Sequence, residues 1–287
     1  MKKLLAVLLA AFMLFSLAAC GGGGGEETTA PDVTVQAPAN PVIRMSTTTS
    51  VNDSGLLPYL LPVFEQATGY TVEVQSAGTG AAIQAAKDGN ADLILVHAKA
   101  SEEAFIEEGY GIERIPFMYN YFVVVGPEAD AAAIKDSENA AAAFAKIAEA
   151  EAKFISRGDE SGTHKAELKI WGDNVPDAET ASWYINAGQG MGACLTMASE
   201  EGAYCLTDKA TFLSNKADLD LEILLAEGED MKNTYSLIEC NPEKLTDLNT
   251  EGAKALIEWM TGDEASALIA KYGEEEYGSA LFYLLEE

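Results

Sequence analysis

Positive charge is scarce in this sequence. Its 287 residues carry 18 Lys and Arg against 46 Asp and Glu, a formal net charge of −28. Only three are arginines: Arg44, Arg114 and Arg157. Binding to a phosphate backbone depends on a surplus of basic residues, so nucleic acid is excluded as a partner. Histidine is rarer still, His97 and His164 alone, and no CxxC pair stands near either. A zinc site therefore has no ligand set, and neither metal nor cofactor is expected. Beyond residue 19 no apolar run reaches the roughly 20 residues needed to cross hydrocarbon. The absence of a GxSxG elbow removes one common nucleophile geometry. No fixed short period recurs, which disfavours solenoids and propellers.

The N-terminus is organised differently from the rest. Residues 1–19, MKKLLAVLLAAFMLFSLAA, place two lysines before an unbroken apolar run, the layout of a secretory signal. Leu17-Ala18-Ala19-Cys20 resembles a lipobox, which implies that Cys20 is the lipid anchor of a bacterial lipoprotein at the extracytoplasmic face of the cell membrane. Residues 20–40 are rich in Gly, Thr, Ala and Pro with little to bury, as expected of a flexible tether. Without Lys2 and Lys3 the chain sets 16 basic against 46 acidic residues, a net of −30. Most of that acid is a solvated surface. An anion can still bind locally, because aimed N–H donors act at short range while surface charge is screened over about 10 Å. Cys194, Cys205 and Cys240 remain beyond the anchor, an odd number with three possible pairings.

From residue 42 short apolar runs alternate with helical segments, which predicts an α/β sheet with crossover helices. VIRMSTTTS reads as a strand running into a hydroxyl-rich turn. In the helix that follows, Leu57, Leu60, Leu61 and Phe64 have helical spacing, Gly69 stops it, and Pro62 is expected to kink or shorten it. YTVEVQ alternates as a second strand, and ADLILVH is a continuous apolar third strand of the buried parallel type. FMYNYFVVVGP, KFIS, AYCLT, LEILLAE and YSLIEC continue the strands, separated by helices, and TEGAKALIEWMTGDEASALIAKYG reads as two helices.

Ligands of parallel sheets sit beyond the carboxyl ends of the strands. Three such ends here are rich in donors and poor in acid, in a chain that is overwhelmingly acidic. The first is Thr47 to Ser50, the second is AGTG with Thr79 between glycines, and the third is ISRGDESGTHK. In the third, Ser161-Gly162-Thr163 opens a helix, whose unpaired N–H groups and partial positive charge suit an anion. Arg157 adds a planar, permanently charged fork. Each turn alone is equally explained by capping and turn preference; the three together point to an oxyanion site.

TTTS, GTG, SRGDESGTH, Trp183-Tyr184 with GQGMG, AYCLTD and the terminal FYLLEE resemble the tungstate-binding proteins of bacterial ABC importers, over nearly all of residues 42–285. The resemblance implies a type II periplasmic-binding-protein fold, α/β, with two lobes closing over the ligand. It implies lobe I at 41–117 and 238–287, lobe II at 118–237, and crossings near Phe117 to Phe122 and Asn233 to Cys240. Carried onto matching positions, the oxyanion donors are Thr48, Thr49, Ser50, Thr79, Arg157, Ser161, Gly162 and Thr163. The chain departs from the pattern at Tyr121, where Asp is usual, and at Lys99, where Pro is usual. Cys194 and Cys205 both replace Thr, a double change that resembles a disulfide and leaves Cys240 free.

A phosphate site benefits from a carboxylate acceptor for the proton that phosphate keeps near neutrality, and the loop after the third strand offers His97 and no acid. Tungstate, molybdate and sulfate want donors only. The resemblance implies a monomeric receptor that hands tungstate or molybdate to an ABC permease and performs no chemistry. The rivals are a receptor for another oxyanion, a hydrolase using Ser161 with His164, and a sensor lipoprotein. Trp171, Trp183 and Trp259 are expected to pack in the core, Arg44 and Arg114 to form structural ion pairs, and His164 to face either cleft or solvent.

Overall fold

The computed structural model describes residues 38–285, apart from 227. The signal segment, Cys20 and the tether as far as residue 37 lie outside the described residues. No helix among the described residues is long and apolar enough to cross a membrane.

The first half of the chain follows the strand, polar turn, helix order read from its pattern. Strand β1 (Val42–Thr48) leads into a short helix α1 (Thr49–Asp53) and then α2 (Leu56–Thr68), β2 (Thr71–Ala77), α3 (Thr79–Lys87), β3 (Leu93–Val96) and α4 (Lys99–Glu107). Gly55 and Gly69 bracket α2 in the left-handed region, at φ +80° and +77°. Pro62 does not shorten α2, which runs unbroken to Thr68. One missing N–H is offset by burial of Leu57, Leu60, Leu61 and Phe64 on its inner face.

The 12-residue strand β4 (Ile115–Gly126) then leaves this region. It is followed by α5 (Ala140–Glu149), β5 (Phe154–Ser156), α6 (Gly162–Trp171), β6 (Tyr184–Asn186), α7 (Met191–Glu201), β7 (Tyr204–Asp208), α8 (Lys209–Asn215) and β8 (Glu222–Ala226). Strand β9 (Lys232–Glu239) returns, and α9 (Thr250–Met260), α10 (Asp263–Ile269), α11 (Glu274–Tyr277) and β10 (Tyr283–Leu284) complete the chain.

Strand β4 serves two half-sheets. Its residues Ile115 to Tyr121 pair antiparallel with β9, with a bulge between Pro116 and Met118 that accommodates the proline. Its residues Phe122 to Gly126 pair instead with β7 and β8. The first half-sheet is ordered β2-β1-β3-β9-β4 and the second β4-β7-β5-β6. In the first, β1 is parallel to both β2 and β3, so Thr48, Ala77 and Val96 end at one edge. In the second, β5 and β7 are parallel, so Ser156 and Asp208 also end at one edge.

The central strands are buried on both faces, which explains why β3 and the second half of β4 read as continuous apolar runs, whereas the edge strand β2 alternates. Leu93 and Leu95 belong to one core, Ile94 and Val96 to the core on the opposite face. Phe122 and Val124 alternate in the same way with Val123 and Val125. Trp171 is buried in the third core, Trp183 packs against it, and Trp259 packs against the first. Arg44 pairs with Asp92 and Arg114 with Glu102, each at 2.5 Å, as structural ion pairs.

Candidate oxyanion site

The strand ends bring the donor-rich turns to the junction of the two half-sheets. Thr48, Ser50, Thr79, Arg157, Ser161 and Thr163 are each at most 4% exposed, Gly162 is buried, and Thr49 is half-buried at the start of α1. Thr48 Oγ1 and Ser50 Oγ lie 3.1 Å apart, and each is 3.1 Å from His97 Nε2. His97 in turn abuts Gly162 at the first turn of α6. A Cβ added at Gly162 would stand 2.4 Å from His97 Cε1. A Cβ at Gly78, preceding Thr79, would stand 4.0 Å from the Asp159 carbonyl oxygen. The first, second and third donor turns are therefore in mutual proximity, although more than 60 residues separate His97 from Gly162.

Burial has consequences for polar atoms that find no partner. Thr79 Oγ1, Arg157 Nε and Thr163 Oγ1 are buried without a hydrogen bond. An unsatisfied buried donor costs about 1–3 kcal/mol, so three at one junction are costly unless an acceptor joins them. One of the three belongs to the second turn and two to the third. The remaining donors are held in place: Arg157 Nη2 donates to Asp159 Oδ2 at 2.5 Å, and Asp159 Oδ1 accepts from Ser161 N at 3.1 Å. Burial raises the Asp159 carboxyl, yet the bonds from Ser161 and the charge of Arg157 outweigh it and hold it below the usual range. Ser161 caps α6, its Oγ accepting from His164 N at 3.2 Å.

His97 is neutral. Burial lowers its pKa to about 4, the bond to Asn233 opposing and the charge of Arg157 assisting. Nδ1 lies 2.8 Å from Asn233 Oδ1, which only accepts, so Nδ1 carries the proton and Nε2 accepts from the Thr48 or Ser50 hydroxyl. Asn233 Nδ2 donates onward to Asn120 Oδ1 and Tyr235 Oη, both at 2.9 Å. Asn120 and Asn233 are register partners on β4 and β9. The first donor turn is thus tied through His97 to the strands that cross between half-sheets. Sequence reading missed Asn120 and Asn233; a polar residue buried mid-strand is the only signal they offer.

Asp208, at the end of β7, was missed as well. It is buried, caps α8 by accepting from Thr211 N at 2.8 Å, and leaves Oδ2 unpartnered. Burial pushes its carboxyl up, against the bonds from Thr211 and, less strongly, the charge of Arg157. His164 does not face solvent: it is buried, and its Nδ1 accepts from Glu160 N at 3.0 Å. That nitrogen is consequently not available to deprotonate the Ser161 hydroxyl, and the Ser161–His164 pair lacks the arrangement of a nucleophile and its base.

Glu167 on α6 accepts from Tyr184 Oη at 2.7 Å, and burial pushes it up to about 7 against that bond. Its unperturbed value is 4.5. Between those values the folded protein keeps a proton that the unfolded chain has released, so stability falls as pH rises through this window and levels off above it. Glu167→Gln is expected to remove a fall on the order of 3 kcal/mol. Urea unfolding of both proteins at stepped pH checks this; identical profiles would refute it.

The expected Cys194–Cys205 bridge is not formed. Cys194, Cys205 and Cys240 are all buried free thiols. Cys194 Sγ donates to the Gln189 carbonyl at 3.6 Å and Cys205 Sγ to the Leu206 carbonyl at 3.5 Å, each within one apolar core. Both behave as small hydrophobes, and burial pushes Cys194 up to about 11 and Cys205 well above its usual value. Tyr121 stacks edge-on against Tyr119 and Tyr283, and Lys99 is exposed, 3.7 Å from Glu103.

Two α/β lobes joined by crossing strands, with hydroxyls, helix-start N–H groups and one guanidinium meeting between them, define a solute-binding protein rather than an enzyme. The family model for the PBP superfamily domain matches residues 34–264. A tungstate-binding protein of Peptoclostridium acidaminophilum is 48% identical over 84% of each chain. Among solved structures, the tungstate ABC transporter protein of Geobacter sulfurreducens has a TM-score of 0.75 at 42% identity, covering 82% of this chain and all of its own. The tungstate-binding protein of Desulfovibrio alaskensis G20 also has a TM-score of 0.75, at 38% identity, covering 86% of this chain and all of its own. The chain belongs to the PBP superfamily and, within it, to the family of tungstate-binding proteins.

Proposed function

We propose that this protein captures tungstate, or molybdate, between its lobes and delivers it to an ABC permease. The observation that carries this reading is the set of buried unpartnered donors, Thr79 Oγ1, Arg157 Nε and Thr163 Oγ1, at the lobe junction. A fully deprotonated tetrahedral oxyanion supplies acceptors to all three and needs none in return. Thr48, Thr49, Ser50, Ser161 and the Gly162 N–H complete the proposed donor set. Closure is by hinge bending. The change of β4 from β9 to β7 and β8 supports a lobe boundary at Tyr121–Phe122, with the return at Met231–Lys232. The protein acts as a monomer on the extracytoplasmic face, held there by lipid on Cys20.

Calorimetry on protein expressed from residue 21, with tungstate, molybdate, sulfate and phosphate, tests the reading. Tungstate is expected to bind with a Kd at or below about 1 μM, about −8 kcal/mol or tighter. Phosphate is expected at least about 1,000-fold weaker, because its proton would meet a site built of donors. Asp208 Oδ2 is an unpartnered buried carboxylate oxygen within the field of Arg157, and it favours the second reading, a protonated oxyanion such as phosphate. Phosphate binding that is lost in Asp208→Asn would establish that second reading and refute the first.

A further inference from the structure

A cavity of about 760 Å³ lies beside the donor cluster, and its charge is opposite to that of the protein. Among the described residues, five basic ones line it, Lys99, Arg114, Lys165, Lys169 and Lys232, against two acidic ones, Glu103 and Asp230. In the chain as a whole acids outnumber bases 46 to 18.

Its position is as informative as its charge. The walls come from α4 of one lobe, α6 of the other and the crossing strand β9, and both His97 and Gly162 line it. Those two residues are in contact across the lobes, and His97 is bonded to Thr48 and Ser50 on its far nitrogen. The cavity thus adjoins the junction that separates solvent from the buried donors. Two of its cations are not consumed by carboxylates in the contacts they make: Lys165 Nζ donates to Ser101 Oγ at 3.1 Å, across the lobes, and Lys232 Nζ lies 4.1 Å over the Tyr119 ring. Lys99 is paired with Glu103 only loosely, at 3.7 Å with both side chains more than half exposed.

A dianion approaching a protein of charge −28 is repelled at long range. Within about one screening length, about 10 Å at 0.1 M salt, nearby charges set the field instead. We propose that this cavity is an anion antechamber, a weak transient site for tetrahedral dianions that speeds their capture by the buried donors. This rests on the oxyanion-receptor reading above and adds a separate site to it. The antechamber acts on the association rate; the donor cluster governs dissociation.

Stopped-flow fluorescence with tungstate, over ionic strengths from about 20 to about 500 mM, separates the two. For the unaltered protein the association rate is expected to fall as salt is added, despite the net negative charge. For the triple variant Lys165→Gln, Lys169→Gln and Lys232→Gln it is expected to be at least about tenfold lower at low salt and to rise with salt, since the cavity then sets two cations against two acids and the repulsion of the acidic surface dominates. Dissociation, measured by chasing with excess molybdate, is expected to change far less than association, since the one bond across the lobes that the variant alters is that of Lys165 to Ser101. A control that neutralises Lys135, Lys153 and Lys254, which lie outside the cavity, makes the same change in net charge and is expected to keep the original rate and salt slope. The antechamber is refuted if the triple variant matches the control, or if its defect appears in dissociation alone. Absence of tungstate binding to the unaltered protein in calorimetry would instead overturn the receptor reading itself.

Discussion

Replacing Arg157 by alanine is expected to weaken tungstate binding by at least about a hundredfold, about 2.7 kcal/mol, and to leave the fold intact. The side chain is 4% exposed and brings a guanidinium to the donor turns, with Nε unpartnered. Charge-assisted hydrogen bonds are roughly twice as strong as neutral ones, so its loss removes the strongest donor the anion meets. The effect has a second part. Asp159 now pairs with Arg157 at 2.5 Å, and without that partner its carboxylate would face the incoming dianion directly. Arg157→Ala with Asp159→Asn is accordingly expected to recover part of the loss, and Arg157→Lys to fall between, since an ammonium keeps the charge without the planar fork. Calorimetry gives the affinities and circular dichroism the fold. An affinity unchanged by Arg157→Ala would show that the anion binds elsewhere.

Gly162→Ala is expected to weaken binding by about tenfold to a hundredfold through closure rather than through any lost donor. The new methyl would meet His97 Cε1 at 2.4 Å, Nδ1 at 2.9 Å and Nε2 at 3.0 Å, closer than carbon atoms approach. The ring cannot swing away cheaply, being held by Asn233 on one nitrogen and by Thr48 and Ser50 on the other. The lobes must therefore stand apart. Faster dissociation with an unchanged ligand-free melting temperature is the expected signature, because an alanine at the first turn of α6 suits the helix itself. Combining it with His97→Ala is expected to restore closure in part, a non-additivity that a double-mutant cycle measures. Additive losses would mean that the two residues do not meet in the ligated protein.

Much of this architecture is visible in local pattern. LILV at 93–96 reads as a strand covered on both faces, and it is; FVVV at 122–125 reads as part of a strand, and it lies in β4. The serine opening α6 reads as a cap, and its hydroxyl caps. Such features depend on residues within a turn or two of one another, where periodicity and hydrogen bonding are local. His164 was harder, because whether a first-turn side chain points outward depends on the turn before it; here the Glu160 N–H captures the ring. The cysteines failed for another reason. A replaced pair of threonines suggests a bridge, but burial in one apolar core satisfies two thiols without it.

Taken alone, the sequence determined that acid-poor, donor-rich turns follow strands and open helices, since strand, turn and helix are each written in neighbouring residues. It also determined that the protein carries too little basic charge for nucleic acid. Only the tertiary structure decided that β4 changes partners between half-sheets, that His97 meets Gly162, and that five scattered cations share one cavity. Those are contacts between segments tens to more than a hundred residues apart. No local window carries them, because they arise from how whole strands pair and pack.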